Sequence, residues 1–405
     1  MKGPFKVPDN LDLLKIKNLQ VPVVTAKTPV DPTMRYDRCV WIKGFDDKFV
    51  TAGGVNLPKI SVCIGEDNSK YKQLFKGEGN DDLRQDAVME QVFGLVNIVL
   101  ERDRDTRKRE LHIRDYKVIP LSSQAGILEF VGNTFPLGDW LRPAHVRYRP
   151  TDKKHADIVT LLSKTSKECA GATEPLVKLF KEIMPKFQPV MRHYFTEKTK
   201  SPMLWYTMRL NYIRSVATTS IVGHVLGLGD RHTSNILIDS ASGAVVHIDL
   251  GIAFDQGKLL PVPERVPFRM TRDMVDGMGI SGTQGVFQRC AEETLRVLRD
   301  RSGVMMTVLE VFKYDPLHSW TASELKIKRA QAHAGSTANT HIGMGAIGID
   351  MSSGTADEAA DRALSSVSRK LDKALSVEYT VNELVAEATD ITNLATIYYG
   401  WGPQY

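Results

Sequence analysis

Residues 227 to 251 constrain the fold more than any other stretch. They read Gly227-Leu228-Gly229-Asp230-Arg231-His232-Thr233-Ser234-Asn235, then Ile236-Leu237-Ile238, Asp239-Ser240-Ala241-Ser242-Gly243 and Ala244-Val245-Val246-His247-Ile248-Asp249-Leu250-Gly251. Ile236 to Ile238 and Ala244 to Ile248 are β-forming runs. The five residues between them are turn formers, so an antiparallel hairpin is expected. Its open end sets Asn235 and Asp249 side by side, and two oxygen ligands converge on one point.

Asp230 and Asn235 have the D-x-x-x-x-N spacing of a phosphotransferase catalytic loop, and Asp249-Leu250-Gly251 resembles the metal-binding D-F-G element. Alone, the spacing says little, because Asp and Asn favour loops anyway. Joined to the hairpin, it becomes specific. Mg²⁺ takes oxygen ligands and keeps several waters, so one amide, one carboxylate and the phosphates of a nucleotide suffice. Asn235 and Asp249 are then the metal candidates. Asp230 would act on the attacking hydroxyl, and His232 in the same loop could instead accept the proton or stabilise transition-state charge. His247 is expected to be structural, since strand alternation points it away from Ile248.

Upstream, short β-like runs at 48–52, 59–64 and 71–76 suggest a meander. A helix follows from about Asp82 to Arg102, with Leu83, Ala87, Val92, Val96 and Val99 at helical spacing and Asn80 or Asp81 as N-cap. Strands near 111–119 and 126–131 complete a lobe of five strands and one helix. Lys76 ends a strand where an ammonium could reach phosphates and pair with an acid on the helix. Asp86 is the first choice for that acid, with Glu90 a turn away on the same face. Gly53 and Gly54 belong to a loop that could fold over phosphates through backbone N–H groups.

Beyond Gly132 the pattern is helical, with helices expected at 155–169, 174–195, 204–225, 284–301, 303–312 and within 357–396. The fold class is α+β: a bilobal, protein-kinase-like arrangement of a small β-rich lobe and a larger helical lobe. The divisions are a lead-in over 1–32, the small lobe over 33–131, the large lobe over 132–325, a regulatory loop and helix over 326–373, and a C-terminal helical segment over 374–405. Residues 330 to 356, rich in Ala, Gly, Ser and Thr, read as a loop.

Composition narrows the class. The 405 residues exceed one ordinary domain of roughly 100 to 200 residues. No apolar run reaches the roughly 18 residues of a membrane helix, and no apolar stretch follows the N-terminal charge. A membrane or secretory role is therefore not expected. The four cysteines are scattered without a C-x-x-C pair, so neither zinc nor a disulfide framework is indicated. The net charge of +5 arises from bases mixed with acids, as in Glu101 to Glu110, whereas nucleic-acid binding wants a patch of one sign. That run is expected to be a solvated helix end or turn, and no direct nucleic-acid contact is expected.

Leu83-Arg84-Gln85-Asp86, Gly229-Asp230-Arg231-His232-x-x-Asn235, His247-Ile248-Asp249-Leu250-Gly251 and Val266-Pro267-Phe268-Arg269 together resemble the phosphatidylinositol 3-kinase-related protein kinases. The ending Gly400-Trp401-x-x-x-Tyr405 resembles that family's FATC segment, so the resemblance covers roughly residues 45 to 405. The strings 52–60, 215–220 and 270–280 are similar to the ataxia-telangiectasia mutated (ATM) branch, with its fungal telomere-maintenance orthologues. The resemblance implies a nuclear, ATP- and Mg²⁺-dependent (or Mn²⁺-dependent) serine/threonine kinase of the DNA-damage and telomere response. It also implies that Lys76 contacts phosphate, that Asp86 and Tyr116 line the inner pocket, and that Glu129, Phe130 and Val131 form the adenine hinge. Leu237 and Ile248 would hold the base from below, and Asp249 to about Asp273 would be the activation segment. Partners implied are Ser/Thr-Gln protein substrates, upstream FAT and helical-repeat regions outside these 405 residues, DNA-end sensors acting through those regions, and a second copy in a full-length homodimer.

A lipid kinase shares this catalytic loop but needs clustered basic residues in its activation segment, where residues 254–264 offer one Lys. A non-catalytic scaffold would usually have lost one of Lys76, Asp230, Asn235 and Asp249. A protein substrate is therefore favoured. Leu260 could pack a substrate glutamine's methylenes, and Asp255 could accept from its amide. Three tyrosines and a Trp in residues 397–405 are too apolar for a free tail, so docking is expected.

Overall fold

A computed structural model describes residues 2–28, 31–36, 39–53, 57–77, 83–122, 125–169, 172–314 and 356–405. Gly54, the expected caps Asn80 and Asp81, and residues 326–355 of the regulatory segment lie outside the described residues. The chain divides into two compact units, Met1–Gln91 with Asp115–Gly132, and Val92–Arg114 with Asn133–Tyr405.

The smaller unit is built on a seven-stranded sheet. Its strands are β1 (Lys2–Lys6), β2 (Leu19–Pro22), β3 (Trp41–Thr51), β4 (Lys59–Gly65), β5 (Lys70–Gly77), β6 (Val118–Pro120) and β7 (Ala125–Glu129). The order is β1-β3-β4-β5-β7-β6, with β2 also paired to β3, and every pairing is antiparallel. Val23, Ile42 and Cys63 form a core against which Ile16, Val40, Phe45 and Tyr71 pack. The lead-in is thus part of the sheet, and seven strands stand where five were expected. β1 and β2 are short, exposed, Pro-containing edge segments, so they carry little strand signal in sequence. Of the strand expected at 111–119, only Val118–Pro120 forms. Farther back, Ile113 is held by a side chain instead: its N–H donates to Asn97 Oδ1 (2.8 Å) and its carbonyl accepts from Asn97 Nδ2 (2.7 Å).

Helix α1 (Leu83–Arg102) buries Leu83, Ala87, Val92, Val96 and Leu100. These apolar residues recur at helical spacing. The charged run after it is a short helix, Arg104–Lys108, whose cap Asp103 accepts from Asp105 N and Thr106 N, as the turn reading required.

The spine of the larger unit is the helix Pro202–Val225, opened by a proline at its first position. Almost every residue from Tyr212 onward is buried, and it packs on the helix Val286–Asp300. The single helix expected over 174–195 is broken into Glu174–Ile183, a turn at Met184–Lys186, and Arg192–Lys198. Pro185 and Pro189 have no N–H to carry a helix through. Leu137–Tyr148 and Arg272–Gly277 are helices that periodicity missed, the first because Pro143 interrupts it and the second because it is short. Among the described residues the last part holds the helices Ala356–Lys370, Val377–Thr389 and Ile391–Ala395, the latter two capped by the side chains of Ser376 and Asp390. A second sheet of three strands orders Thr134–Pro136, Ile236–Asp239 and Val245–His247 with the middle one central.

The tail is docked. Ile397, Tyr398, Trp401, Gln404 and Tyr405 are all buried, Tyr405 to 1% exposure. The Arg272 N–H donates to the Tyr405 carbonyl (2.8 Å), Arg269 Nη2 to the Gly402 carbonyl (3.1 Å), and Gln404 Nε2 lies 2.7 Å from His155 Nδ1. The Tyr405 ring packs among His145, His155 and Phe187. Gly402 has φ +67°, and a Cβ there would lie 2.7 Å from the Tyr405 ring. Behind them Asp273, fully buried, accepts from Val190 N, Met191 N and His145 Nε2.

Two measurements follow from this packing. Removing residues 397–405 takes away four large buried side chains at roughly 1.5 to 3 kcal/mol each, so the melting temperature should fall by about 10 °C or more. An unchanged melting curve would contradict the docking. Burial also pulls four histidines of the larger unit down from their ordinary range, His155, His224 and His232 to about 4 and His247 to about 3. The unfolded chain therefore binds more protons between those values and pH 6.5, and stability drains away as pH falls through that window. Buried Glu264, pushed up to about 7, and Glu90, also raised by burial, act in the opposite sense but are two groups against four. Thermal scans from pH 7 to 4.5 should show a steadily falling melting temperature.

Candidate active site

The hairpin forms: Ile236 faces His247, Leu237 faces Val246, and Ile238 faces Val245. Gly243 N–H donates to the Asp239 carbonyl (2.8 Å) to close the turn, and Ile248 N–H donates to the Asn235 carbonyl (3.0 Å) at the open end. Asn235 is therefore opposite Ile248 and adjacent to Asp249. Asn235 is buried and Asp249 exposed. Leu237 is buried and Ile248 is half-buried in the same hairpin.

The loop before the hairpin is fixed residue by residue. Asp230 takes a left-handed backbone, φ +56°. Its carbonyl accepts from His232 N (3.1 Å) and Asn235 Nδ2 (3.0 Å), while its own N–H donates to Glu264 Oε1 (2.6 Å). Tying the Asn235 amide nitrogen to Asp230 leaves the amide oxygen as the end that can serve a cation. Arg231 spans the two elements: Nε donates to the Gly229 carbonyl (2.7 Å), Nη1 to the Ile248 carbonyl (2.8 Å), and Nη2 to the Asp249 carbonyl. Asp249 is also left-handed, φ +57°. Burial, with Arg231 nearby, keeps His232 neutral at ordinary pH, its pKa lowered to about 4. Its Nδ1 accepts the Ser234 N–H (3.2 Å), and the Trp401 ring centre lies 6.5 Å away.

The segment after Asp249 is laced to the loop by backbone bonds. Gly229 N–H donates to the Ile252 carbonyl (2.9 Å), Phe254 N–H to Leu226 (2.8 Å), and Asp255 N–H to Gly227 (3.0 Å). The expectation for Asp255 as an open acceptor needs correction. Its carboxylate is already bound by Lys370 Nζ (2.9 Å) and Ser366 Oγ (2.6 Å) of the helix Ala356–Lys370. Burial alone would raise its pKa, but Lys370 and these hydrogen bonds outweigh it and bring the group down to about 2. Leu260 is likewise enclosed, at 2% exposure.

In the smaller unit, Lys76 lies on β5 opposite Gly126 of β7, and Asp86 is buried on α1. Gly53 is exposed, with open space where a Cβ would sit. Tyr116 is buried and its N–H donates to Glu90 Oε2 (3.0 Å). Burial, with Asp115, Asp86 and Glu129 as neighbouring charges, pushes the Glu90 carboxyl well above its ordinary range. Glu129 ends β7, its Oε2 accepting from Lys117 N (3.1 Å). Phe130 N–H donates to the Lys72 carbonyl (3.1 Å), and Lys72 Nζ stands 5.6 Å over the Phe130 ring. Val131 follows, half-buried, just before the unit ends.

Sequence reasoning missed two residues here. Arg231 was read only as part of a motif, although a buried Arg between two motif residues is a signal for carbonyl contacts. Glu264 lies 34 positions from Asp230, and nothing local announces the pairing. Among the described residues no cluster of three His, Cys, Asp or Glu side chains could hold a metal. Asn235 beside exposed Asp249 is nevertheless a suitable donor set for a hard cation that takes its remaining ligands from phosphate and water. No helix among the described residues is long and apolar enough to cross a membrane.

Comparison with known proteins agrees with this geometry. The family model described as phosphatidylinositol 3- and 4-kinase matches residues 70–322, and the FATC domain model matches residues 374–405. The serine/threonine-protein kinase tel1 of Emericella nidulans is 49% identical over 391 residues, 95% of this chain and 14% of that protein. The serine-protein kinase ATM of Sus scrofa is 43% identical, over 98% of this chain and 13% of that protein. Among solved structures, the open conformation of CtTel1 superposes with a TM-score of 0.86 at 43% identity, covering all of this chain and 14% of that one. The chain thus spans about one seventh of the length of the relatives it matches. With both domains matched and such identity to Tel1 and ATM, the chain belongs to the phosphatidylinositol 3- and 4-kinase family, in its Tel1/ATM branch of FATC-bearing serine/threonine-protein kinases.

Proposed function

We propose that this chain transfers the γ-phosphoryl group of ATP to serine or threonine of protein substrates, with Gln following the acceptor, in a nuclear DNA-damage and telomere response. The observation that carries the reading is the hairpin that sets Asn235 beside Asp249, next to a loop in which Asp230 is held at both its N–H and its carbonyl. Asn235 Oδ1 and the Asp249 carboxylate would hold Mg²⁺ or Mn²⁺, which when bound neutralises phosphate charge. Lys76, with Gly53 and Gly54, would meet the phosphates. Asp86 and Tyr116 would line the inner pocket, Glu129, Phe130 and Val131 would bind adenine, and Leu237 and Ile248 would pack on the base.

The two candidates for the proton separate on chemistry. His232 is neutral, and its Nδ1 is taken as an acceptor by Ser234 N–H, so the ring proton resides on Nε2. That nitrogen can donate to developing phosphoryl charge and cannot take a proton. Asp230 remains to receive the hydroxyl proton as the acceptor oxygen attacks phosphorus and ADP departs.

Relatives over this stretch are named serine/threonine-protein kinase or serine-protein kinase, which favours a protein over a lipid acceptor. Solved Tel1 relatives are described as dimers, and a full-length homodimer that meets DNA-end sensors through FAT and helical-repeat regions is part of the same proposal. Asp255 and Leu260 could take the substrate Gln only where Lys370 and Ser366 give up the Asp255 carboxylate.

Asp249→Asn keeps a side chain that tolerates the left-handed backbone but removes the metal's charged anchor. Phosphotransfer should be lost while the melting temperature holds. Asp230→Asn should lower kcat by roughly 10² to 10⁴, and activity within about twofold of wild type in either variant would reject the assignment. Peptides differing only in Ser-Gln, Ser-Glu or Ser-Leu, assayed with ATP and Mg²⁺ or Mn²⁺, test the acceptor. The Ser-Gln peptide should lead in kcat/KM by on the order of 10², and equal rates would refute the preference.

A further inference from the structure

Glu264 belongs to the stretch Pro261-Val262-Pro263-Glu264, fifteen residues past Asp249 (264 − 249), and no role above uses it. Its backbone is anchored to the turn below the site, where Glu264 N–H donates to the Gly257 carbonyl (3.1 Å). Its side chain runs back toward the catalytic loop and ends in a gap left by two glycines. A Cβ on Gly257 would come within 2.7 Å of the carboxyl carbon, and a Cβ on Gly229 within 3.0 Å of Oε1. At that spot Oε1 accepts the Asp230 N–H at 2.6 Å. The bond is short, and where the carboxyl is ionised it is charge-assisted, the stronger class of hydrogen bond.

The backbone of Asp230 gives this contact its meaning. A non-glycine residue at φ +56° costs about 1 to 2 kcal/mol relative to ordinary conformations and persists only when its surroundings over-determine it. On the far side of Asp230, Asn235 Nδ2 and His232 N fix the carbonyl. On the near side Glu264 is the group that fixes the amide. Pinning both peptides sets the direction in which the Asp230 carboxylate leaves the chain.

We propose that Glu264 is a positioning residue for phosphoryl transfer: its carboxylate, lodged between Gly229 and Gly257, holds Asp230 in the conformation that aims its side chain at the acceptor hydroxyl. The inference rests on the kinase reading above. It makes Glu264 the tie between the activation segment and the catalytic loop, since the same residue is bonded to Gly257 at one end and Asp230 at the other. The charges facing the carboxylate are Arg231 of the loop and Arg269 beyond it, both favourable, and Asp255, unfavourable but itself paired to Lys370 and Lys258. Burial pushes the carboxyl up to about 7, so the stronger, ionised acceptor is populated on the alkaline side of neutrality.

The test compares Glu264→Ala and Glu264→Gln with the wild-type chain. Glu264→Ala should lower kcat by roughly 10²-fold, the cost of misaiming a reacting group by about 1 Å, while KM for ATP stays within about twofold, because the proposed ATP contacts do not include Glu264. Glu264→Gln keeps an acceptor oxygen and should recover kcat to within about tenfold of wild type, the difference between a charged and a neutral hydrogen bond. It should also lose any rise in kcat that the wild type shows across pH 6 to 8. Amide hydrogen exchange in peptides covering 226–235 reads the same bond without any turnover, and should quicken in Glu264→Ala. Unchanged exchange, or kcat within about threefold of wild type in Glu264→Ala, would overturn the proposal. Loss of folded protein in Glu264→Ala together with normal kcat in Glu264→Gln at every pH would assign the residue to stability alone and overturn it as well. A wild-type chain without phosphotransfer would reject the kinase reading, and the exchange comparison would still decide whether Glu264 holds the loop.

Discussion

The guanidinium of Arg231 is the interaction on which the site depends. It donates to carbonyls of Gly229, Ile248 and Asp249, so one rigid fork joins the loop that carries Asp230 to the strand end that carries Asp249. Lysine could not replace it, because a point charge on a flexible stem does not present a planar set of donors to separate oxygens. Two segments far from ideal geometry are kept together by this buried cation. The same positive charge adds to burial in keeping His232 neutral, so the structural tie also sets the protonation state of its neighbour.

Around that fork the larger unit is assembled in shells. The hairpin registers Asn235 against Ile248, three backbone bonds lace the following segment to residues 226–229, and Arg269 carries the connection on to Gly402 of the tail. Arg269 is wholly buried, and burial lowers its pKa to about 10, with Glu264 opposing the fall. One nitrogen of this buried cation is satisfied by the Gly402 carbonyl and the Glu264 charge is favourable to it, while its Nε and Nη1 are buried without a hydrogen-bond partner.

Much of this was legible in the sequence, and the boundary of legibility has physical reasons. The hairpin could be read because its two strands are β-branched and its turn is made of Asp, Ser and Gly. The docking of residues 397–405 could be read because that many rings do not stay in water. The edge strands Lys2–Lys6 and Leu19–Pro22 could not, since both are short, exposed and interrupted by proline. The break at Pro185 and Pro189 was overlooked although proline announces it. Asp255 shows the deeper difficulty. Its neighbours in sequence suggested a ligand for substrate, whereas its partners Ser366 and Lys370 lie 111 and 115 positions away. Long-range polar pairings leave no periodic trace, and for the same reason the bond from Asp230 to Glu264 was invisible.

Four residues of the site, Asp230, Asp249, Phe254 and Asp255, share the left-handed region of backbone space. At these positions a replacement is judged by a torsion angle before its chemistry counts. Glycine and asparagine enter that region readily and β-branched residues do not. The range of amino acids that drift or selection could install at Asp230 and Asp249 is accordingly narrow even for a copy that no longer needs catalysis. Decay of such a copy would run first through asparagine and glycine, leaving inactive proteins whose loops still trace the path of the working enzyme.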